Sequence, residues 1–161
     1  MHRLCERPAS SPAHSSAITR ATYAAMENRD TSELERLGGE AGIARWMTRF
    51  YDMIAQHPLL AELFTQDIAV SRDKQIAFMI EFFGGPARYT EQYGKPFLRF
   101  KHRHIKIGAS ERDAWMRLIM DALREITSDT ALTAEVESRL GSLATAMVNR
   151  HPEKKDAYYF N

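Results

Sequence analysis

The amino-acid sequence predicts an all-α fold, and three observations carry that reading. Apolar residues recur at steps of three and four in segments long enough for helices. Gly, Pro and helix-capping residues separate those segments. No stretch alternates apolar with polar residues in the period-two manner of a half-buried strand. The chain has 161 residues, 44% hydrophobic and 27% charged, which suits one domain with a buried core.

Residues 1–30, with the run Arg7-Pro8-Ala9-Ser10-Ser11-Pro12, are too polar and too rich in Pro and Ser to offset the ordering cost of packing, so a flexible tail is expected there. Met26 offers an internal translation start within it. Ser32-Glu33-Leu34-Glu35 reads as a capping box opening a short helix that Gly38-Gly39 ends. Ile43, Trp46, Met47, Phe50, Tyr51 and Ile54 then share one helical face as far as His57-Pro58. Leu59, Leu60, Leu63 and Phe64 form an apolar turn. A further helix is expected from Val70-Ser71, with Ile76, Met79, Ile80 and Phe83 inward, until Gly84-Gly85-Pro86 permits a left-handed cap and forbids continuation. From Ala87 to Ile107 the periodicity is poor, which predicts a long loop with one helical turn around His102. Ser110-Glu111-Arg112-Asp113 resembles a second capping box before the stripe Ala114, Trp115, Leu118, Ile119, Ala122, Leu123. A last helix is expected from about Thr133, with Val136, Leu140, Leu143, Ala144 and Met147 inward, ending at His151-Pro152. The expected domain is therefore 31–152, with 153–161 a C-terminal tail.

Composition narrows the function classes. Lys and Arg total 22 against 21 for Asp and Glu, a formal charge of +1, so no global field recruits nucleic acid or an anionic membrane. The only cysteine is Cys5, which excludes an intrachain disulfide and a Cys-rich zinc or iron–sulfur site. No stretch approaches the roughly 18 apolar residues of a membrane span, and the first residues lack a signal's apolar run. The expectation is a soluble protein of the cytoplasm.

Among the candidate functional residues, His102 leads. It closes the segment Tyr93 to His102 and precedes the helix that carries Trp115; a neutral imidazole offers one nitrogen lone pair to iron while the other nitrogen donates to backbone or solvent. Taken alone, such a histidine is more often a packed or solvated side chain than a ligand. Tyr51 is either core, with its hydroxyl on a carbonyl, or a pocket donor. Ser71 and Gln75 are four apart and share a face. Ser71 reads equally as a helix N-cap, and Gln75 as surface, because Asp73 and Lys74 beside it read as surface residues.

The double glycine after the first helix, Phe50-Tyr51, Phe64, Gly84-Gly85-Pro86, Leu98-Arg99-Phe100-Lys101-His102, Glu111-Arg112-Asp113-Ala114-Trp115 and Met147-Val148-Asn149 together resemble the group II truncated haemoglobins, over residues 34 to 150. The resemblance implies a two-over-two helical sandwich around haem b, with His102 as the iron ligand. His104 stands where the family usually lacks a histidine. Residues two apart point about 200° apart on a regular helix, so the two imidazoles would not face one metal from there; a zinc site would need further ligands that the sequence does not supply nearby. The resemblance further places Tyr51, Trp115, Ser71 and Gln75 around the bound ligand, Phe64 flat on the porphyrin, and Phe78, Met79, Phe82 and Phe97 at its edges. Arg99 or Lys101, from the basic run Arg99, Lys101, Arg103 and Lys106, is expected to pair with haem propionates.

Dioxygen, carbon monoxide and nitric oxide are the implied ligands. Donors on Tyr51, Trp115 and Gln75 imply high affinity and slow release, suited to scavenging, sensing, nitric oxide dioxygenation or peroxidase-like chemistry. The chain carries no flavin or nucleotide-binding fingerprint, so turnover would draw electrons from a separate reductase. The sequence leaves a homodimer open. A second reading, a haem-free globin-like sensor or interaction domain, is disfavoured by the joint presence of Tyr51, His102 and Trp115.

Overall fold

The computed structural model describes residues 32–64 and 67–150. The expected tails, with Met26 and Cys5, and the His151-Pro152 stop lie outside the described residues. Within them the chain is helical and without strands, as the periodicity predicts.

Helix α1 (Glu33–Arg36) starts on the expected capping box: Glu35 N–H donates to Ser32 Oγ at 3.2 Å and Ser32 N–H to Glu35 Oε2 at 3.1 Å. Gly38 (φ 85°) turns the chain into α2 (Gly39–Gln56), whose inward face buries Ile43, Trp46, Met47, Phe50, Tyr51 and Ile54. Gly42 is required for a different reason. A Cβ there would stand 1.8 Å from the Leu37 carbonyl oxygen, so only a glycine lets α2 pass this close to the end of α1. Pro58 begins the short α3 (Pro58–Ala61) at a position where its missing N–H costs nothing.

Helix α4 (Ile68–Phe82) begins before the expected Val70 because Asp67 caps it, its carboxylate accepting from Ala69 N–H at 2.8 Å. Ser71 therefore lies inside the helix and is not its N-cap. Gly84 (φ 89°) then closes α4 as expected, with Gly85 N–H returning to the Ile80 carbonyl at 2.9 Å. The segment expected to be a long loop holds one short helix that was not expected, α5 (Arg88–Tyr93), and then α6 (Leu98–His102), the helical turn expected around His102. Helix α5 is too short for periodicity to reveal, and it is started by Glu81, which accepts from Thr90 N–H at 2.8 Å. Helix α7 (Ala109–Ile126) begins two residues earlier than a Ser110 cap would place it. Gly108 is its N-cap and Glu111 reaches back to the Gly108 N–H at 2.8 Å. Helix α8 (Thr130–Met147) is capped by Asp129, which accepts from Leu132 N–H at 2.9 Å, three residues ahead of the expected start.

Helix α2 packs on α4 and on α7, and α7 packs on α8, so two pairs of long helices form the body of the domain, two over two. The core is continuous across them, with Trp46 fully buried and its indole N–H donating to the Ile119 carbonyl at 2.8 Å. Arg49 of α2 forks onto Glu125 of α7 through two hydrogen bonds of 2.7 and 2.9 Å. The short helices α3, α5 and α6 are left to close a space that the long ones do not fill.

Candidate functional site

That space is a cavity of about 690 Å³, within the range of small-molecule and cofactor sites. His102 lines it from the last residue of α6. Its Nδ1 stands 2.8 Å from the Leu98 carbonyl oxygen. A carbonyl only accepts, so Nδ1 carries the proton and Nε2 is left with a free lone pair. This is the second hydrogen bond that sets the tautomer of metal-binding histidines. His104 also lines the cavity. The regular-helix argument separating the two rings does not apply, because α6 stops at His102; what distinguishes His102 is the fixed ring.

One residue outside the cavity holds this region in place. The Asn149 side chain, just past α8, accepts from Ile107 N–H (3.0 Å) and donates to the carbonyls of Ile105 (2.8 Å) and His102 (3.2 Å). Its own backbone N–H adds a bond to the Ile107 carbonyl at 2.9 Å. The chain after His102 is thereby tied to the end of the last long helix.

Tyr51, Trp115, Ser71, Gln75, Phe64, Phe78 and Lys101 join His102 around the cavity. Tyr51 is 4% exposed and stands edge-on to Phe50 and Phe64, with ring centroids 5.4 and 5.6 Å away. Its hydroxyl donates to the Ser71 carbonyl at 3.2 Å, which is the core reading of Tyr51, although the residue also lines the cavity. Burial pushes the Tyr51 phenol well above its ordinary range, which keeps it a donor. Trp115 packs edge-on to Phe50 at 5.6 Å and lines the same cavity.

Four residues named from the sequence stand elsewhere. Met79 is fully buried in the core, a 100° step around α4 from the lining Phe78. Phe82 stacks on Phe78 at 5.6 Å and carries the Arg139 guanidinium 4.5 Å from its ring, outside the lining. Phe97 is 65% exposed, and Arg99 is exposed beyond the lining residues.

The cavity also uses residues the sequence reading passed over. Lys74, read as surface, lines it, with Nζ 5.8 Å over the Tyr93 ring. The sequence does hold the signal, since Ser71, Lys74, Gln75 and Phe78 step by three, one and three along one face of α4. Tyr89 and Tyr93, four apart on α5, line it too, and Tyr89 accepts from Lys101 Nζ at 2.8 Å. Arg103 and Arg112 complete the cationic rim, the latter 3.0 Å from Asp113.

The donor set fits haem. Apolar lining by Phe64, Phe78 and Leu98, a histidine with one free nitrogen, and Lys and Arg side chains in the same lining suit a porphyrin with two carboxylates. Among the described residues no cluster of three or more His, Cys, Asp or Glu is placed to hold a bare metal ion, and no helix is long and apolar enough to cross a membrane.

Comparison with known proteins agrees with this geometry. The sequence matches the bacterial-like globin family over residues 32–149. It is 33% identical to the group 2 truncated hemoglobin YjbI of Bacillus subtilis over 112 residues, 70% of this chain and 85% of that one. The group II truncated hemoglobin of Bacillus anthracis superposes with a TM-score of 0.73 at 30% identity, over 78% of this chain and 96% of that one. A solved structure described as a truncated oxygen-avid haemoglobin from Bacillus subtilis gives 0.70 at 32% identity, over 74% of this chain and all of that one (100%). Haem and diatomic gas binding follow from this kinship: the chain belongs to the bacterial-like globin family, among the truncated haemoglobins of group II.

Proposed function

We propose that the chain binds haem b through Nε2 of His102, holds dioxygen tightly and releases it slowly, and serves redox chemistry at the iron rather than carriage. Oxidation of nitric oxide to nitrate and reduction of peroxide are the reactions this suits, with electrons supplied by a separate reductase in the cytoplasm. The observation that carries the reading is the His102 ring, locked by Leu98 with its free nitrogen in a cavity that Tyr51, Gln75 and Trp115 also line.

Haem supplies a ferrous iron that takes a diatomic ligand and polarises it. The chain supplies the surroundings. The Trp46 indole is consumed by the Ile119 carbonyl, whereas Trp115 lines the cavity and its indole N–H meets no acceptor among the described residues. Gln75 offers an amide from the adjacent turn of α4. Tyr51 offers a phenol that burial keeps protonated, now resting on the Ser71 carbonyl at 3.2 Å, a bond it would exchange for one to the ligand. Each net hydrogen bond of roughly 1 to 1.5 kcal/mol slows ligand loss about tenfold. Two such bonds make release too slow for transport down a shallow gradient. Ser71 is small, so the approach past α4 stays open to diatomic molecules.

Absorption spectra of the purified protein as isolated, after dithionite and after carbon monoxide test the first half of the proposal. A Soret band that moves on reduction and sharpens with carbon monoxide is expected; its absence even after reconstitution with hemin would favour the haem-free sensor. Stopped-flow oxygen dissociation tests the second half.

A further inference from the structure

The segment Gly94–Ser110 contains Lys95, Arg99, Lys101, Arg103 and Lys106 and no Asp or Glu. In a chain of formal charge +1, these five cations leave the remainder negative, so positive charge is concentrated around the helix that carries His102. None of the five forms an ion pair with a carboxylate among the described residues; Lys101 instead bonds the Tyr89 hydroxyl, and Arg103 lies 3.7 Å over the Phe100 ring and donates to the Phe100 carbonyl. Of the two acids that flank the segment, Glu111 is committed to the Gly108 N–H, and Glu91 forms no ion pair with any of the five among the described residues.

Two aromatic side chains stand in the middle of this charge. Phe97 and Phe100 are 65% and 63% exposed, the two most exposed large apolar residues described. Phe97 is moreover the only described non-glycine residue at positive φ, 34°, a strained conformation for a bulky side chain. Burial does not explain that strain, since the side chain it holds lies in solvent. Exposed aromatic anchors amid cations are the composition of a recognition surface.

The division of labour among the cations indicates what is recognised. Lys101 and Arg103 line the cavity and are placed to meet the carboxylates of a haem, whereas Lys95, Arg99 and Lys106 stand outside the lining and keep their charge for something else. Because the patch and His102 share one helix and its flanks, whatever docks here is brought to the edge of the cofactor.

We infer that this basic, aromatic face is the docking site of an acidic one-electron donor protein, which passes an electron to the haem iron while its own redox centre is oxidised by one electron. The inference rests on the proposed redox function, and extends it by naming the surface, the residues and the charge of the partner. Lys95, Arg99 and Lys106 steer the encounter, and Phe97 anchors it, while Phe100 also lines the cavity.

The test uses the haem-loaded protein and, as probe, a reduced plant-type [2Fe–2S] ferredoxin with an acidic surface. Reduction of the ferric protein is followed by stopped flow at low and high salt. The expected rate falls with salt, and Lys95→Glu/Lys106→Glu lowers it at least about tenfold at low salt, with the difference closing at high salt. Phe97→Asn should slow reduction while leaving the fold as stable or more so, because asparagine tolerates the left-handed backbone; loss of a merely structural side chain would not separate the two. Dithionite reduction and carbon monoxide binding should be unchanged in these variants. Equal ferredoxin rates in the parent and the charge-reversed protein would overturn the docking site, as would absence of salt-dependent reduction together with binding to phosphatidylserine vesicles, which would assign the face to a membrane. A protein that dithionite itself fails to reduce would instead sink the redox reading beneath it.

Discussion

Asn149→Ala isolates the clamp on the segment after the proximal histidine. The side chain makes three hydrogen bonds there, to Ile107 N–H and to the carbonyls of Ile105 and His102, at 3.0, 2.8 and 3.2 Å. The amide orientation is settled by its surroundings, since only the oxygen can face the N–H and only the nitrogen can face two carbonyls. Net values of 0.5 to 1.5 kcal/mol per bond, taken at the low end because the residue is exposed, sum to about 1.5 kcal/mol. For a domain of this size that lowers Tm by roughly 5 °C. Asn149→Asp keeps the shape and the acceptor but sets a carboxylate against two carbonyl oxygens, so it should lose at least as much as alanine. Because one of the clamped carbonyls belongs to His102, haem transfer to excess apomyoglobin should quicken, up to about tenfold. Thermal unfolding of the haem-loaded variants measures the first effect. A Tm within about 1 °C of the parent for both substitutions would refute the clamp.

His102→Ala should abolish stable haem binding and His104→Ala should not, as read from the Soret band; the reverse pattern would transfer the ligand role. Tyr51→Phe should raise the oxygen dissociation rate about tenfold, and an unchanged rate would remove Tyr51 from the donor set. The same variant has a pH signature. The folded phenol is raised above its unfolded value of about 10, so the contribution is complete below that pH and is lost as pH rises beyond it; Tyr51→Phe should flatten the alkaline arm of the stability profile. Gly42→Ala should cost several kcal/mol, about the scale of a severe core lesion, because its Cβ would meet the Leu37 carbonyl oxygen at 1.8 Å; expression at parental yield with an unchanged Tm would contradict that contact.

The long helices were legible because each buries a wide face, and residues such as Trp46, Phe50 and Ile54 must repeat at 3.6-residue spacing to share it. Their beginnings were less legible. Asp67 and Asp129 act as caps through side-chain bonds two and three residues on, yet each also reads as an ordinary loop acid. Helix α5 was invisible to periodicity at six residues, whereas α6 was expected as a single turn around His102; tertiary partners hold them, Glu81 at one end of α5 and the Tyr89–Lys101 bond between the two. The cavity wall followed the same division. Tyr51, Phe64, Phe78, His102 and Trp115 were placed at the cavity by the family resemblance, while Lys74 was dismissed because charge in a sequence does not say which side of a helix meets a cavity.

The sequence by itself determined the all-α class, the long amphipathic helices and the family, because these depend on local periodicity and on motif order along the chain. Only the tertiary structure decided which nitrogen of His102 is free, that Tyr51 rests on Ser71, that Met79 and Phe97 stand off the cavity, and that Asn149 clamps a segment more than forty residues away. Each of these depends on a contact between distant residues or on a rotation of one step around a helix, and neither quantity is written in the spacing of residue types.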